Sequence, residues 1–280
     1  MQNAPGKSCL NYFLLLILLA TGGSAAEIKK LIENEMQTHH VVGLTCLIIQ
    51  DGKATTRFHS GSANLEWPSP VDNATVFEIG SVSKQFAAAS ILLLADDGKL
   101  SVEDNISKFF TNAPVAWKDI KIRHLLSHTS GLRNYDGLDG FEMRQHLTQA
   151  RFIKLLEAQP MKFDPGESWS YCNSGYNLLG YIVENVSRKS YWDFLQGRIF
   201  TPLQMTNTTR RDPWLVIPHR AAGYVYKNGA QVTRDSDLTE LFAAGAIVST
   251  ADDVAKWMPR CLAKSCSKNH PKSCGGRPLR

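Results

Sequence analysis

The chain has 280 residues, 43% of them hydrophobic and 20% charged, with a formal net charge of +5. That composition excludes a low-complexity or fibrous chain and leaves room for one large core or two lobes. The positive charge belongs to the ends. Residues 259–280 hold six Lys/Arg, residues 1–26 hold one, and neither stretch has an acid, which leaves 24 basic against 26 acidic side chains, a net of −2. A near-neutral body argues against a nucleic-acid surface.

Residues Leu10 to Ala20 form a short apolar run after a lysine-bearing start, followed by the small residues Ser24-Ala25-Ala26. The pattern predicts a secretory signal over 1–26 and a secreted product, with an uncleaved membrane anchor as the alternative. No other segment is apolar enough to span a bilayer. Four N-x-[ST] sequons, at Asn73, Asn105, Asn185 and Asn207, fit a secreted glycoprotein. Cys9 falls within the signal. Cys46, Cys172, Cys261, Cys266 and Cys274 remain, an odd number that leaves one unpaired or pairing between chains. The tail spacings match no zinc pattern.

Ile28–Met36 reads as a short amphipathic helix. Val41–Gln50 and Lys53–Ser60 read as two strands joined by an Asp51-Gly52 turn. From Leu100 to Gln196 the pattern is mostly helical, with helices expected at Ile122–Ser127, Gln145–Ala158, Tyr176–Val186 and Tyr191–Ile199. A hairpin is expected around Asn228-Gly229. A short helix is expected over Ala251–Met258, with Thr250 as cap and Asp253 at N3. Beyond Pro259 the Lys/Ser/Cys/Gly mix has no periodicity and predicts a disordered tail.

The central stretch is Gly80 to Ala95. From Phe86 onward it is almost wholly apolar, which predicts a buried helix ending at Asp96-Asp97-Gly98. Ser81 and Lys84 stand three apart at its start, on one face, where hydroxyl and amine can touch. A crowded lysine that sheds its proton activates a serine. An ordinary N-capped core helix would share this pattern, and Ser265–Lys268 repeats the S-x-x-K spacing in the tail. Tyr171-Cys172-Asn173 supplies a second proton handler and an amide for a substrate carbonyl. In extended backbone, residues two apart face the same way. A buried loop tyrosine and a turn asparagine are the plainer reading, and Tyr226-Lys227-Asn228 repeats the pattern at the tip of the expected hairpin.

Taken together, Ser81-Val82-Ser83-Lys84, Tyr171-Cys172-Asn173 and Gly175-Tyr176 resemble the penicillin-recognising serine hydrolases, in their class C β-lactamase-like branch of β-lactamases, D-alanyl peptidases and esterases. Ile122–Leu132, Phe163–Glu184 and Gly245–Asp253 extend the resemblance over about residues 30–258, and their order leaves the second copies of both short motifs outside it. The resemblance implies an α/β (α+β) fold of the β-lactamase/transpeptidase type. An α/β lobe with an antiparallel sheet (about 27–80 and 233–258) would carry an inserted helical lobe (about 81–232). It implies that Ser81 is acylated, that Lys84 is its base or base partner, that Tyr171 protonates the leaving group and activates water, and that Asn173 binds the acyl amide. It implies a small-molecule, peptide or ester substrate, no cofactor and no metal. His124 and His128 fall in a segment that is structural in the family.

The family also carries a K-[ST]-G or H-x-G motif on a later strand, which supplies one oxyanion donor. No such motif follows Asp253, and Lys227-Asn228-Gly229 lies on the wrong side of the Gly245–Asp253 stretch. The expectation is a chain missing its last strands, with impaired hydrolysis, since one lost oxyanion donor costs about a hundred- to a thousandfold in rate. The Val41–Ser60 hairpin would keep open edges. The alternative is a catalytically inactive relative that serves in binding, as a scaffold, or as a non-functional isoform.

Overall fold

The computed structural model describes residues 25–50, 53–135, 138, 147–235 and 238–263. The apolar run 10–20, the Asp51-Gly52 turn and the Ser265–Lys268 repeat lie outside the described residues.

The fold is mixed, with helices and small antiparallel sheets. Helix α1 (Ala25–Thr38) leads into strands β1 (Gly43–Gln50) and β2 (Lys53–Asn64), which pair antiparallel from Gly43↔Gly61 to Gln50↔Lys53. β3 (Ser69–Pro70) adds to β2, giving the order β1-β2-β3. Among the described residues β1 has no partner on its other edge, and none of its side chains is fully buried. Helix α8 (Ala251–Ala263) lies against this sheet, and Asp252 accepts two hydrogen bonds from Arg57 on β2.

A second sheet, in the order β4-β8-β5, joins distant parts of the chain: β4 (Phe77–Glu78), β5 (Thr209–Arg210) and β8 (Ile247–Ser249). Each strand is too short to show a period of two, so the sequence pattern missed them. β5 falls inside the expected helical lobe, so the chain returns to the sheet well before residue 233. β6 (Tyr224–Lys227) and β7 (Ala230–Thr233) form the hairpin expected at Asn228-Gly229, with φ of 51° and 82° at the two turn residues.

The central helix begins as a 3-10 turn, Gly80–Ser83, and continues as α2 (Lys84–Asp96). It ends as expected. Gly98 sits at φ 70°, its N–H donates to Ala95 O, and Lys99 N–H donates to Leu94 O, which is the Schellman arrangement. Phe86, Ala87, Ile91 and Leu94 are wholly buried. Phe86 packs against Phe200 and, at 4.7 Å between centroids, against Trp257 of α8, whose Nε1–H donates to Gln85. These contacts fix the mouth of the helix.

Short α3 (Ile122–Leu126) and α4 (Gln149–Glu157) precede α5 (Asn173–Ser187), in which every residue from Asn173 to Val183 is buried. α5 packs on α2, α3 and the one-turn helix α7 (Phe242–Gly245). α6 (Tyr191–Leu195) runs into a π-helical turn, Gln196–Phe200. α8 does not stop at Met258. It continues through Pro259 to Ala263, into the stretch expected to be tail. A proline deletes one N–H donor, and the Leu262 and Ala263 that follow are good helix formers. The cap also differs from the expected box. Thr250 Oγ1 accepts from Asp253 N–H, but the Asp253 carboxylate turns away to Asn207 N–H and Thr208 Oγ1, tying the approach to β5 onto α8. No helix among the described residues is long and apolar enough to cross a membrane.

Candidate active site

Ser81 and Lys84 are brought together by the 3-10 turn, in which side chains at i and i+3 eclipse. Lys84 Nζ lies 3.1 Å from Ser81 Oγ. The lysine is 7% exposed and donates a second bond, 2.7 Å long, to the carbonyl oxygen of Ala244 on α7. The hydroxyl of Tyr171 is 2.6 Å from Ser81 Oγ, and the tyrosine is 40% exposed. Lys84 Nζ also stands over the rings of Tyr171 and Tyr176, at 4.8 and 5.5 Å from their centroids. Ser81 itself is exposed. An exposed serine thus stands between a buried amine and a partly exposed phenol.

The Tyr171–Asn173 segment is extended only through Cys172 (φ −144°, ψ 109°). Asn173 is already the first residue of α5. Asn173 is buried, and its N–H donates a 2.6 Å bond to Asn134 Oδ1. Ser174 Oγ donates to Arg133 O and accepts from Tyr135 N–H, so the start of α5 is stitched to the 133–135 segment. The Cys172 thiol is buried, and burial pushes its pKa up, which keeps it a poor nucleophile. Tyr176 donates to Leu126 O. Burial first, and then the neighbouring Tyr171, raise its pKa.

Among the described residues, neither His124 nor His128 is hydrogen-bonded to Ser81. His124 Nδ1 accepts from Lys121 N–H within the α3 cap. His128 Nδ1 accepts from Cys172 N–H. Sequence reasoning missed two parts of the site. One is the Ala244 carbonyl, whose only signal was its place just before the Gly245–Asp253 stretch. The other is Asn134, which no spacing marked. Tyr226-Lys227-Asn228 lies in the β6–β7 hairpin with Tyr226 stacked on His40, away from the serine cluster. No group of three His, Cys, Asp or Glu side chains gathers as a metal site among the described residues.

This arrangement can hold a carbonyl carbon over Ser81 Oγ and pass the hydroxyl proton sideways within hydrogen-bond reach. The comparisons point the same way. The chain is 34% identical over 206 residues to penicillin-binding protein 4* of Bacillus subtilis, covering 71% of this chain and 45% of that protein. It is similar to the octameric penicillin-binding protein homologue from Pyrococcus abyssi, with a TM-score of 0.74 and 28% identity over 87% of this chain and 57% of the other. It is also similar to the D-amino acid amidase from Ochrobactrum anthropi, with a TM-score of 0.73 and 26% identity over 85% and 72%. The chain spans about half the length of the curated relatives it matches. The profile of the Beta-lactamase family matches residues 28–272, and with the serine, lysine and tyrosine in mutual contact the chain belongs to that family of penicillin-recognising serine hydrolases.

Proposed function

We propose that the protein is a serine hydrolase that forms an acyl-enzyme at Ser81 on an ester, peptide or lactam carbonyl. The observation that carries this reading is Ser81 Oγ held between Tyr171 Oη at 2.6 Å and Lys84 Nζ at 3.1 Å. Ser81 Oγ attacks the carbonyl carbon and its proton passes to Tyr171 Oη as the phenol's own proton moves on to the departing nitrogen or oxygen; the C–N or C–O bond breaks, and the acyl group stays on Ser81. In the second half a water attacks the acyl carbon and gives its proton to Tyr171 Oη as the phenol's proton returns to Ser81 Oγ, and the acid leaves. Lys84 donates to Ala244 O and to Ser81 Oγ, and in this reading it is the cationic partner that keeps the proton path oriented. Ser81 N–H, in the first turn at the positive end of the helix dipole, is suited to the developing oxyanion. Asn173, at the head of α5, would orient the acyl amide.

An amide carbonyl is the favoured substrate class, because the similar proteins include penicillin-binding proteins and a D-amino acid amidase. The test is a panel of a chromogenic cephalosporin, D-amino acid amides and nitrophenyl esters, each run against wild type and Ser81→Ala. Turnover of any class that vanishes in Ser81→Ala supports the reading. Turnover that survives the substitution overturns it. The secreted reading is proposed alongside: Asn73, Asn105 and Asn207 are exposed, whereas the Asn185 amide donates to Phe109 O within the fold.

A further inference from the structure

We propose that His128 is the positioning residue for Tyr171, and that its neutral ring is required for acylation of Ser81. The inference rests on the reading that Ser81 is acylated. His128 grips both neighbours of Tyr171. Its carbonyl oxygen accepts from Ser170 N–H at 2.9 Å, and its Nδ1 accepts from Cys172 N–H at 3.1 Å. In extended backbone the N–H groups of residues 170 and 172 point to one side, so one residue can hold both. The ring is also flanked by tyrosines, with centroids 4.7 Å from Tyr171 and 5.1 Å from Tyr176, and Trp169 meets it edge-on at 6.1 Å.

The backbone shows that this placement is bought at a cost. α3 ends in a Schellman arrangement, with Thr129 N–H donating to His124 O and His128 N–H to Leu125 O. The residue that must turn left-handed there is usually glycine. Here it is His128, at φ 60°. Histidine tolerates that conformation better than most side chains, as His40 and His219 also do, and here it carries the ring to the two N–H groups that flank Tyr171.

An Nδ1 that accepts a bond requires the neutral ring, with its proton on Nε2. Protonation would set an N–H against the Cys172 N–H and place a second cation near Lys84. Among the described residues, the titratable groups that contact the ring or act on it are Lys84 on α2, Tyr171 and Cys172 before α5, and Tyr176 on α5, and none of these is a carboxylate. Burial first, and then Lys84, hold the His128 pKa below its ordinary 6.5. Acid would therefore release Tyr171 from Ser81 while the fold persists.

The test uses His128→Asn. Asparagine tolerates the left-handed backbone, can place its amide oxygen where Nδ1 stood, and cannot be protonated. The rate of Ser81 labelling by a fluorophosphonate is measured against pH in both proteins. In wild type it should fall about tenfold per pH unit below a midpoint under 6.5. In His128→Asn that acid limb should disappear, with the neutral-pH rate lowered a few-fold by the lost stacking. An unchanged acid limb in folded His128→Asn would overturn the proposal. Nitrogen NMR of histidine-labelled wild type supplies a readout independent of labelling. It should show His128 protonated on Nε2 and the Tyr171 ring signals shifting as His128 titrates. A proton on Nδ1, or a Tyr171 ring indifferent to the titration, would overturn the clamp. Folded wild type that fails to label at every pH would instead overturn the acylation reading and the acid switch with it, leaving the NMR result to decide the clamp.

Discussion

Lys84 Nζ donates a 2.7 Å hydrogen bond to the carbonyl oxygen of Ala244, 160 positions away in the chain. That bond fastens the serine-bearing helix to the single turn of α7, and it aims the amine at Ser81. Lys84→Met keeps the apolar stem and deletes the donor. Labelling of Ser81 is expected to slow by about a hundred- to a thousandfold, the usual cost of removing one preorganised donor beside the reacting atoms. Circular dichroism should show unchanged helix content. A loss of less than threefold in folded protein would remove Lys84 from the chemistry.

α7 can approach α5 only because Gly180 has no side chain. A Cβ there would stand 2.6 Å from Phe242 Cε1 and 2.7 Å from Ala243 Cβ. Phe242 is itself held at φ 38°, a conformation costly for a bulky residue, by its packing on Tyr181, Tyr191 and Trp192. Gly180→Ala should push α7 outward, cost roughly 1–3 kcal/mol in urea unfolding, and slow Ser81 labelling through the displaced Ala244 carbonyl. Gly197→Ala, where a Cβ meets nothing within 4 Å, is the control and should be close to neutral.

Strand β4 leads through Ile79 and Gly80 into the turn that carries Ser81, and its Glu78 is held by Arg211. Arg211 Nε donates at 2.9 Å, and its side chain is 8% exposed. Arg220 sits 4.0 Å from Glu78 and makes two 2.6 Å bonds to Asp235. Arg211→Met removes the Arg211 hydrogen bond to a largely buried carboxylate and leaves it the more distant Arg220. Urea unfolding should show a loss of roughly 3 kcal/mol. Adding Glu78→Gln should recover part of that loss, because burial raises the Glu78 pKa and the charged form is the costly one. Equal instability in the single and double variants would contradict this account of the cluster.

Stability should also depend on two histidines. Burial lowers the pKa of both His124 and His128. The unfolded chain then binds protons more readily than the native one just below pH 6.5, so stability should fall as pH drops through that value toward the native ones. The urea midpoint should decrease on going from pH 7.5 to about 5.5. His128→Asn should flatten part of that slope. Asp235, whose pKa is lowered first by its bonds to Arg220, adds stability that is present above its ordinary 3.8 and lost only at more acid pH. A midpoint that does not move between pH 7.5 and about 5.5 would contradict burial of neutral imidazoles.

The legible parts of the molecule were those that repeat locally. Phe86 to Leu94 announced a buried helix by composition, and Gly98 announced its end. Asn228-Gly229 announced a hairpin. Ser81, Lys84 and Tyr171 were legible as candidates because hydroxyl, amine and phenol recurred in a known order, and the fold brings all three into contact. What stayed hidden depends on chain returning from far away. β4, β5 and β8 owe their existence to one another, not to any propensity in two or three residues. The Ala244 carbonyl is a backbone group, which no side-chain motif can flag. Pro259 marked a boundary by its usual effect on helices, yet α8 runs through it. His128 was visible as a histidine but not as a residue at positive φ, because the backbone that places it is fixed only when α3 ends against the segment before α5.

The central claim is that Ser81 is an activated nucleophile. The most direct measurement is intact mass of the folded protein after exposure to a fluorophosphonate, with peptide mapping of the adduct and Ser81→Ala and Tyr171→Phe alongside. The account predicts one adduct per chain on Ser81, none on Ser81→Ala, and a rate at least tenfold lower for Tyr171→Phe. Cooperatively folding protein that takes up no adduct, or takes it up at another serine, would contradict it.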